Sequence, residues 1–209
     1  MVQLRRSSRS LQGGAKNSRG FTIIEVLVSA FILGVGLTAV AGLVGGILAG
    51  TASSEQMTQA ATLATEKLED LNRYPATDPN VAVTSGTSAG SLTSDSLQSV
   101  TANGVTEEVA YYDVVFFSPA DGAIVQTTTS LNGNSTIYST TTYTPNGTMS
   151  GPVQSASAPN ALGSTVFKRR WQIDLNVPVT GVRTVTVLVS LENATTQKPI
   201  QFQLSMVRP

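Results

Sequence analysis

The hydrophobic pattern of the chain changes abruptly at residue 21. Residues 21–52 carry a single charged side chain, Glu25, and are otherwise apolar, small or hydroxyl-bearing. A helix that spans a bilayer needs about 20 predominantly apolar residues, whereas the apolar core of a cleaved secretory signal is only about 7–15 residues long. The length of this run therefore predicts a membrane-spanning helix.

An amphipathic pattern follows over residues 51–74. Apolar side chains recur at spacings of three and four, which places them on one helical face; they are Met57, Ala61, Ala64, Leu68 and Leu71. The polar face is predicted to carry Glu55, Gln59, Glu66, Lys67, Glu69 and Asp70. Because Pro75 disfavours helical geometry in the residue before it, we expect one helix over 21–74. Its second part is expected to pack on the rest of the chain.

The remainder of the chain predicts a β-rich body. Residues 75–104 and 145–163 are rich in Ser, Thr, Gly and Pro and are predicted to be long surface loops. Alternation and β-propensity predict strands over 109–117, 123–129, 136–143, 166–177, 182–191 and 200–207. Their short connections favour an antiparallel meander. The expected fold class is α+β, a long N-terminal helix, first transmembrane and then amphipathic, packed on a C-terminal antiparallel sheet.

Charge is balanced in total but not along the chain. Lys and Arg together number 13, as do Asp and Glu, so the net charge is zero. Residues 1–20 nevertheless contain no acid, and their basic residues are Arg5, Arg6, Arg9, Lys16 and Arg19. A basic head before an apolar run is typical of a membrane-targeting signal, and such a head stays in the cytoplasm. Residues 53–209 are then expected on the far side of the membrane.

Composition excludes several kinds of chemistry. The chain has no Cys and no His, which removes disulfides, thiolate and imidazole mechanisms and the usual zinc sites. We expect no cofactor, no metal and no nucleic-acid partner. Residues 86–90 match the G-x-S-x-G nucleophile elbow, but Ser88 in a predicted loop without any His is not expected to be a nucleophile. The basic triplet 168–170 is expected to form a solvated edge or a salt bridge between subunits.

Glu25 is the one charge in the apolar run, and a carboxylate in lipid is costly. It is either an interfacial acid without function or an acid that needs a cationic partner. If the chain were cut after Gly20, the new α-amino group of Phe21 could pair with Glu25 of a neighbouring subunit. Further along, Gly42, Gly46 and Gly50 repeat a G-x-x-x-G spacing. This spacing indicates close helix–helix approach, local melting when the helix leaves lipid, or ordinary tolerance of glycine in membrane helices.

The segment 19–28, RGFTIIEVLV, resembles the class III signal of type IV pilins and the related pseudopilins. The resemblance covers about residues 15–75. It implies cleavage after Gly20 by a prepilin peptidase, N-methylation of Phe21, and pairing of Glu25 with the N-terminal amine of an adjacent subunit. The run looks most similar to minor pilins of the PilV type, with GspI-type pseudopilins as near rivals. The chain departs from many major pilins by having Gly42 where they carry Pro, and no Cys.

These patterns predict four segments: a leader over 1–20, a transmembrane and filament-core helix over 21–52, an amphipathic helix over 53–74 and a β-rich extracytoplasmic domain over 75–209. The leading hypothesis is a non-enzymatic minor pilin of a type IV pilus that acts in assembly or priming, with adhesion through the loops as a further candidate role. Expected partners are other pilin subunits, through the N-terminal helix, the prepilin peptidase and the membrane. The protein is expected in the inner membrane and then in the extracellular pilus. The alternatives are a pseudopilin of a type II secretion system and a membrane-anchored extracytoplasmic enzyme or binding protein.

Overall fold

The computed structural model describes residues 20–102, 104–118, 121–132, 135–159, 164–192 and 199–209. The predicted leader lies, except for Gly20, outside the described residues. The elements are the helix α1 (Ile23–Arg73) and the strands β1 (Ser88–Gly90), β2 (Leu97–Ala102), β3 (Val105–Ala110), β4 (Tyr112–Phe117), β5 (Ile124–Asn132), β6 (Ser135–Tyr143), β7 (Met149–Ser155), β8 (Thr165–Leu175), β9 (Arg183–Leu191) and β10 (Gln201–Arg208). The chain divides into two compact units, one ending at Ala49 and the other running from Gly50 to Pro209.

The start of α1 is capped by Thr22. The Thr22 hydroxyl accepts a hydrogen bond from the Glu25 N–H at 3.3 Å, and so satisfies one of the N–H groups that a helix start leaves without an intrahelical partner. Threonine followed three residues later by glutamate is the sequence of a capping box. The acid also lies where the helix dipole favours negative charge.

The end of α1 is set by proline and by an arginine from the opposite end of the chain. The helix ends at Arg73, two residues before Pro75. The Arg208 guanidinium on β10 donates to the Leu71 carbonyl at 3.2 Å and to the Tyr74 carbonyl at 3.1 Å. These bonds satisfy carbonyl groups that the helix end leaves open. The single long helix predicted from the sequence is therefore confirmed.

The main sheet contains eight strands and is antiparallel throughout. The order is β10-β9-β8-β4-β5-β6-β7, and β1 also pairs with β8. Strands β2 and β3 form a separate hairpin. The predicted antiparallel sheet is confirmed, but the single meander is wrong. After β7 the chain returns so that β8 pairs with β4, which makes β8 a central strand.

Both segments predicted as long loops contain strands, so those two predictions are wrong. Residues 75–104 contain β1 and β2, and residues 145–163 contain β7. The first segment also supplies core residues, since Val81, Ala89 and Val100 are buried. These strands are short and poor in large apolar residues. They depend on pairing with distant strands rather than on local periodicity.

The strand predicted over 109–117 is in fact two strands that change partner at Tyr111. The Tyr111 N–H donates to the Ser96 carbonyl at 2.8 Å, while its own carbonyl accepts from the Trp171 N–H at 3.1 Å. The chain thereby leaves the β2–β3 hairpin and enters the main sheet. Tyr111 is fully buried at this crossing point.

The core lies between the second part of α1 and one face of the sheet. The buried residues of α1 are Ala60, Leu63, Ala64, Lys67, Leu68 and Leu71. All of these except Lys67 share one hydrophobic cluster with Val115, Phe167, Trp171, Ile173, Val185, Val187 and Val189. The predicted stripe is correct at three positions but wrong at Met57, which is 41% exposed. The assignment of Lys67 to the polar face is also wrong, because Lys67 is buried against a carboxylate of the sheet.

Candidate functional site

The first part of α1 buries no side chain within the chain. All residues from 20 to 55 are exposed, including large apolar side chains such as Phe21, Ile23 and Phe31, which are 73–82% exposed. Among the described residues, α1 is the one helix long and apolar enough to cross a membrane, judged by length and composition. An apolar helix near an N-terminus is found in both signal sequences and anchors. Length and composition alone therefore do not distinguish a signal sequence from a membrane anchor, and the sequence motif at the start of α1 is needed for that.

Glu25 lies in the first turn of this exposed helix. Its backbone N–H is bound to Thr22, and its side chain forms no ion pair with any described residue. A carboxylate in an apolar setting is favourable only with a compensating charge. Any such charge for Glu25 has to come from outside the described part of this chain.

Gly42, Gly46 and Gly50 lie four residues apart on α1. A Cβ added at any of them would meet no atom within 4 Å. Nothing in the described chain packs on this row of glycines. The structure therefore gives them no role inside the subunit, and close approach by another helix stays a prediction.

The body contains a buried ionic cluster that the sequence analysis missed. Asp113 on β4 is fully buried and accepts two hydrogen bonds from Arg169 on β8, Nε to Oδ1 at 2.6 Å and Nη2 to Oδ2 at 2.7 Å. Lys67 Nζ lies 3.6 Å from Asp113 Oδ2, and Gln126 donates to the same oxygen at 3.2 Å. The Lys67 ammonium also lies 4.0 Å from the ring centroid of Trp171. The cluster ties α1 to β4 and β8 with charge-assisted bonds.

The two acid–base partners favour each other's charged form. Burial alone would raise the pKa of Asp113, but the charges of Arg169 and Lys67 and the hydrogen bonds from Arg169 and Gln126 outweigh it, so this pKa lies below its usual value. Burial likewise opposes the charge of Arg169, and the Asp113 carboxylate reverses that effect and raises the pKa of Arg169. The pair is therefore ionised in the folded protein.

The prediction that the basic triplet 168–170 forms a solvated edge is wrong, and a salt bridge between subunits stays a prediction. Arg169 is 2% exposed, because β8 is central and alternate residues of a strand point to opposite faces. Lys168 and Arg170 pair on the other face with Asp95 of the same chain, at 3.2 and 2.9 Å. A signal was present in the sequence: Arg169 alternates with the apolar Phe167 and Trp171.

The G-x-S-x-G match has a packing explanation. Ser88 begins the short strand β1, and Gly90 ends it with φ of +79°. A Cβ at Gly90 would lie 2.3 Å from the Trp171 carbonyl oxygen. Gly90 is therefore required by the close approach of β1 to β8.

Comparison with known proteins identifies the start of α1. Residues 15–41 match the prokaryotic N-terminal methylation motif, a stretch that contains Gly20, Phe21 and Glu25. No curated protein and no solved structure matches the chain. The motif indicates a type IV pilin-like protein or pseudopilin, associated with the membrane and processed by a prepilin peptidase, and it is typical of structural subunits.

Proposed function

We propose that the protein is a minor pilin of the PilV type, a non-enzymatic subunit that acts in assembly or priming of a type IV pilus. The strongest support for this proposal is that the methylation motif overlaps the exposed apolar part of α1. The methylation motif over 15–41 includes the start of α1, and every residue of α1 up to Glu55 is exposed. A helix with that much uncovered apolar surface is stable in lipid or against other helices.

In this proposal the leader, residues 1–20, is removed after Gly20, and Phe21 becomes the methylated N-terminus. Residues 21–52 form the membrane anchor and later the filament core. Residues 53–74 are the amphipathic part, and residues 75–209 are the extracytoplasmic body. The protein first occupies the inner membrane with its leader in the cytoplasm, and is then exported into the pilus.

Glu25 is proposed to pair with the α-amino group of Phe21 in an adjacent subunit. Four residues of a helix rise about 6 Å, so the amine and the carboxylate of one straight helix do not meet well. If the neighbouring subunit is displaced along the helix axis, its Phe21 amine can reach the Glu25 carboxylate of the first subunit. In an apolar surrounding, an unpaired Glu25 is costly, so the pair selects one stagger between subunits. Gly42, Gly46 and Gly50 would allow the close helix approach that this stagger needs.

The proposal is tested first by mass spectrometry of the N-terminal peptide from the native membrane fraction. We expect a chain that begins with N-methylated Phe21. An uncut chain that retains residues 1–20 would contradict processing and favour an anchored enzyme or binding protein.

Filament incorporation tests the role of Glu25. Glu25→Gln keeps the side-chain volume and removes the charge, and Glu55→Gln is the matched control, since Glu55 is an exposed acid on the same helix. Sheared pili should lose the Glu25→Gln subunit while the cell membrane retains it, and should keep the Glu55→Gln subunit. Equal incorporation of both variants would contradict the pairing.

A pseudopilin of a type II secretion system carries the same N-terminal motif and remains the alternative. Deletion of the gene separates the two proposals. Loss of pili with intact protein secretion supports the minor pilin, and the reverse pattern supports the pseudopilin.

A further inference from the structure

The two edge strands of the main sheet, β7 and β10, differ in how well they resist the addition of a further strand. In β7, Gly151 has φ of +110° and is followed by Pro152, and the pairing with β6 shifts register between Thr140 and Thr142. Proline and bulges are features by which natural sheets keep an edge strand from accepting another strand. In β10, residues 201–207 (QFQLSMV) contain no proline, glycine or charge, and the pairing with β9 is regular. The β10 edge therefore lacks these protective features.

The hydrogen bonds between β9 and β10 show which backbone groups of β10 are open. The Leu191 N–H donates to the Ile200 carbonyl at 3.0 Å, so these two residues form a hydrogen-bonded pair. Because hydrogen-bonded and non-bonded pairs alternate along an antiparallel ladder, the even residues of β10 bond to β9, and the odd residues direct their N–H and C=O groups outward. The odd residues are Gln201, Gln203, Ser205 and Val207. Among the described residues, none bonds to these outward backbone groups.

The side chains of β10 define the sequence pattern of a strand that would fit beside it. On the core side of the sheet, Phe202, Leu204 and Met206 pack against the core but are only half-buried. On the other side, the odd residues are exposed and uncharged. Directly opposite residues of antiparallel strands have neighbouring side chains on the same face. A complementary strand therefore has apolar side chains opposite the even residues and uncharged polar side chains opposite the odd ones.

We propose that β10 accepts an uncharged, extended segment of a partner protein as a further antiparallel strand of the sheet. The outward N–H and C=O groups recur at every second residue, which is the spacing at which another extended backbone presents its own acceptors and donors. Antiparallel pairing continues the pattern of the whole sheet and is slightly more stable per residue than parallel pairing. The added strand also covers the half-buried row of Phe202, Leu204 and Met206, and this burial of apolar surface is favourable.

A second copy of β10 is a poorer occupant than a segment of another protein. Two identical strands that pair antiparallel are related by a two-fold axis perpendicular to the sheet, and this rotation reverses every direction in the plane of the sheet. Since the last turns of α1 pack on the sheet, the two copies of α1 would run in opposite directions. Chains anchored in one membrane through the start of α1, as proposed above, have parallel helices. This step alone rests on the proposed function, and the rest of the inference concerns the body.

The test uses the full chain in detergent micelles and the fluorescein-labelled peptide Lys-Ser-Val-Ser-Val-Ser-Val-Ser-Lys, with its three Val nitrogens methylated. In the proposed pairing each Val lies opposite an even residue of β10, so its nitrogen points away from the sheet, and methylation leaves docking intact while it prevents the peptide from forming fibrils. The matched control peptide carries its three methyl groups on Ser nitrogens, whose N–H groups would bond to β10. We expect a saturable rise in fluorescence anisotropy with the first peptide, above the background of empty micelles. The control peptide should bind at least about tenfold more weakly.

Amide hydrogen exchange, followed by NMR, locates the added strand in the unmodified protein. The first peptide should slow exchange at Gln203 and Ser205 by about tenfold or more. Exchange at Leu204 should not change, because the N–H of this even residue already bonds to β9. A ligand that bound elsewhere, or that only stabilised the fold as a whole, would not produce this alternation.

Edge variants give an independent check. Gln203→Pro removes an outward N–H and no bond to β9, which is a position where sheets tolerate proline, and it should weaken peptide binding at least about tenfold. Gln203→Lys is a milder variant that places a charge beside the Lys-flanked peptide, and it should weaken binding about threefold or more. Gln154→Lys, at an exposed position of the other edge strand β7, is its matched control and should bind the peptide as the wild type does. Circular dichroism should be the same for all variants.

Four results would overturn the proposal. They are absence of binding by the first peptide, equal or reversed effects of methylation at Val and at Ser, equal binding by Gln203→Lys and Gln154→Lys, and amides of Gln203 and Ser205 that are already protected in the free chain. Analytical ultracentrifugation without peptide tests the remaining occupant. If the chain formed dimers as its concentration rose, with the same alternating protection in β10, the edge would belong to a second copy and the proposal would be wrong.

Discussion

Removal of the Asp113 carboxylate is the most direct test of how α1 is held on the sheet. Asp113→Asn keeps the shape of the side chain but removes the buried carboxylate that contacts Arg169 and Lys67, whose side chains are 2% and 9% exposed. The carboxylates that remain, Glu66 at 3.9 Å from Arg169 and Asp70 at 3.5 Å from Lys67, are 63% and 45% exposed and compensate less. Breaking a buried ion pair by removing one partner costs about 3–5 kcal/mol. We therefore expect a cost of about 3–5 kcal/mol, a large fraction of the roughly 5–15 kcal/mol that stabilises a typical domain.

Asp95→Asn is the matched control. Asp95 also bridges two cations, Lys168 at 3.2 Å and Arg170 at 2.9 Å, but its side chain is 39% exposed. Exposed salt bridges typically contribute about 0–1 kcal/mol. Each aspartate thus contacts one lysine and one arginine, and the two differ chiefly in burial, which is the variable under test.

Urea denaturation of the full chain in micelles, followed by Trp171 fluorescence, gives the free energy of unfolding of each variant. Trp171 reports directly on this region because the Lys67 ammonium lies over its ring. Equal costs for Asp113→Asn and Asp95→Asn would refute the argument from burial. The triple variant Lys67→Met, Asp113→Leu and Arg169→Met should recover most of the stability, since apolar replacement of a whole buried ionic group is often neutral or stabilising.

The same two variants test how the free energy of unfolding depends on pH. The pKa of Asp113 lies below its usual value in the folded protein, so as the pH falls the unfolded chain takes up this proton first. The stabilisation is complete well above the ordinary aspartate pKa of about 3.9 and is lost progressively below about pH 5. Acid titration of Asp113→Asn should lack this loss, and titration of Asp95→Asn should retain it.

Three further substitutions test single contacts by the same assay. Tyr111→Phe should stabilise by about 1 kcal/mol or more, since the buried hydroxyl of Tyr111 has no hydrogen-bond partner. Burial raises the pKa of Tyr111 to about 12, so the wild type should lose stability as the pH rises from about 10, the ordinary tyrosine pKa, to about 12. The variant should not show this loss. A destabilised variant, or one that loses stability at alkaline pH as the wild type does, would contradict this. Gly90→Ala should cost about 2 kcal/mol or more beyond Gly86→Ala. Both glycines have positive φ, but an added Cβ would lie 2.3 Å from the Trp171 carbonyl oxygen at Gly90 and would meet no atom within 4 Å at Gly86. Equal costs would show that this close approach does not matter for stability. Arg208→Ala should cost about 1–2 kcal/mol and speed amide exchange in the last turn of α1, and unchanged exchange would argue against the cap.

The features that the sequence predicted well are those with a local cause. The long apolar run and Pro75 define α1, and alternation defines β8, β9 and β10, because one face of each of these strands is more buried than the other. The features that it missed depend on distant partners. Strand β1 has three residues and exists through its pairing with β8 and the close approach at Gly90, neither of which leaves a periodic signal.

The ionic cluster was missed for a different reason. Local composition predicts a polar helical face for Lys67 and a solvated triplet for Arg169, whereas the position of each charge within its strand indicates that Asp113 and Arg169 point inward. Asp113 alternates with Val115 and Phe117 on β4, and Arg169 with Phe167 and Trp171 on β8. Applying the period of two to charged as well as apolar residues would have placed Asp113 and Arg169 on the core face together. The methylation motif, in contrast, is contiguous, and was recognisable from residues 19–28 alone.

The two units of this chain depend on different surroundings for their stability, and this has a testable consequence. The body from Gly50 to Pro209 has its own core and ionic cluster, whereas the helix before it leaves its apolar side chains uncovered. A subunit proposed to move from lipid into a filament needs a body whose folding is indifferent to what covers its helix. Glu25→Gln should therefore leave the urea midpoint of the body unchanged while impairing filament incorporation. Asp113→Asn should lower that midpoint while leaving cleavage after Gly20 intact. If Glu25→Gln lowered the midpoint as well, the two units would be energetically coupled, and the loss of incorporation could no longer be ascribed to the charge at Glu25.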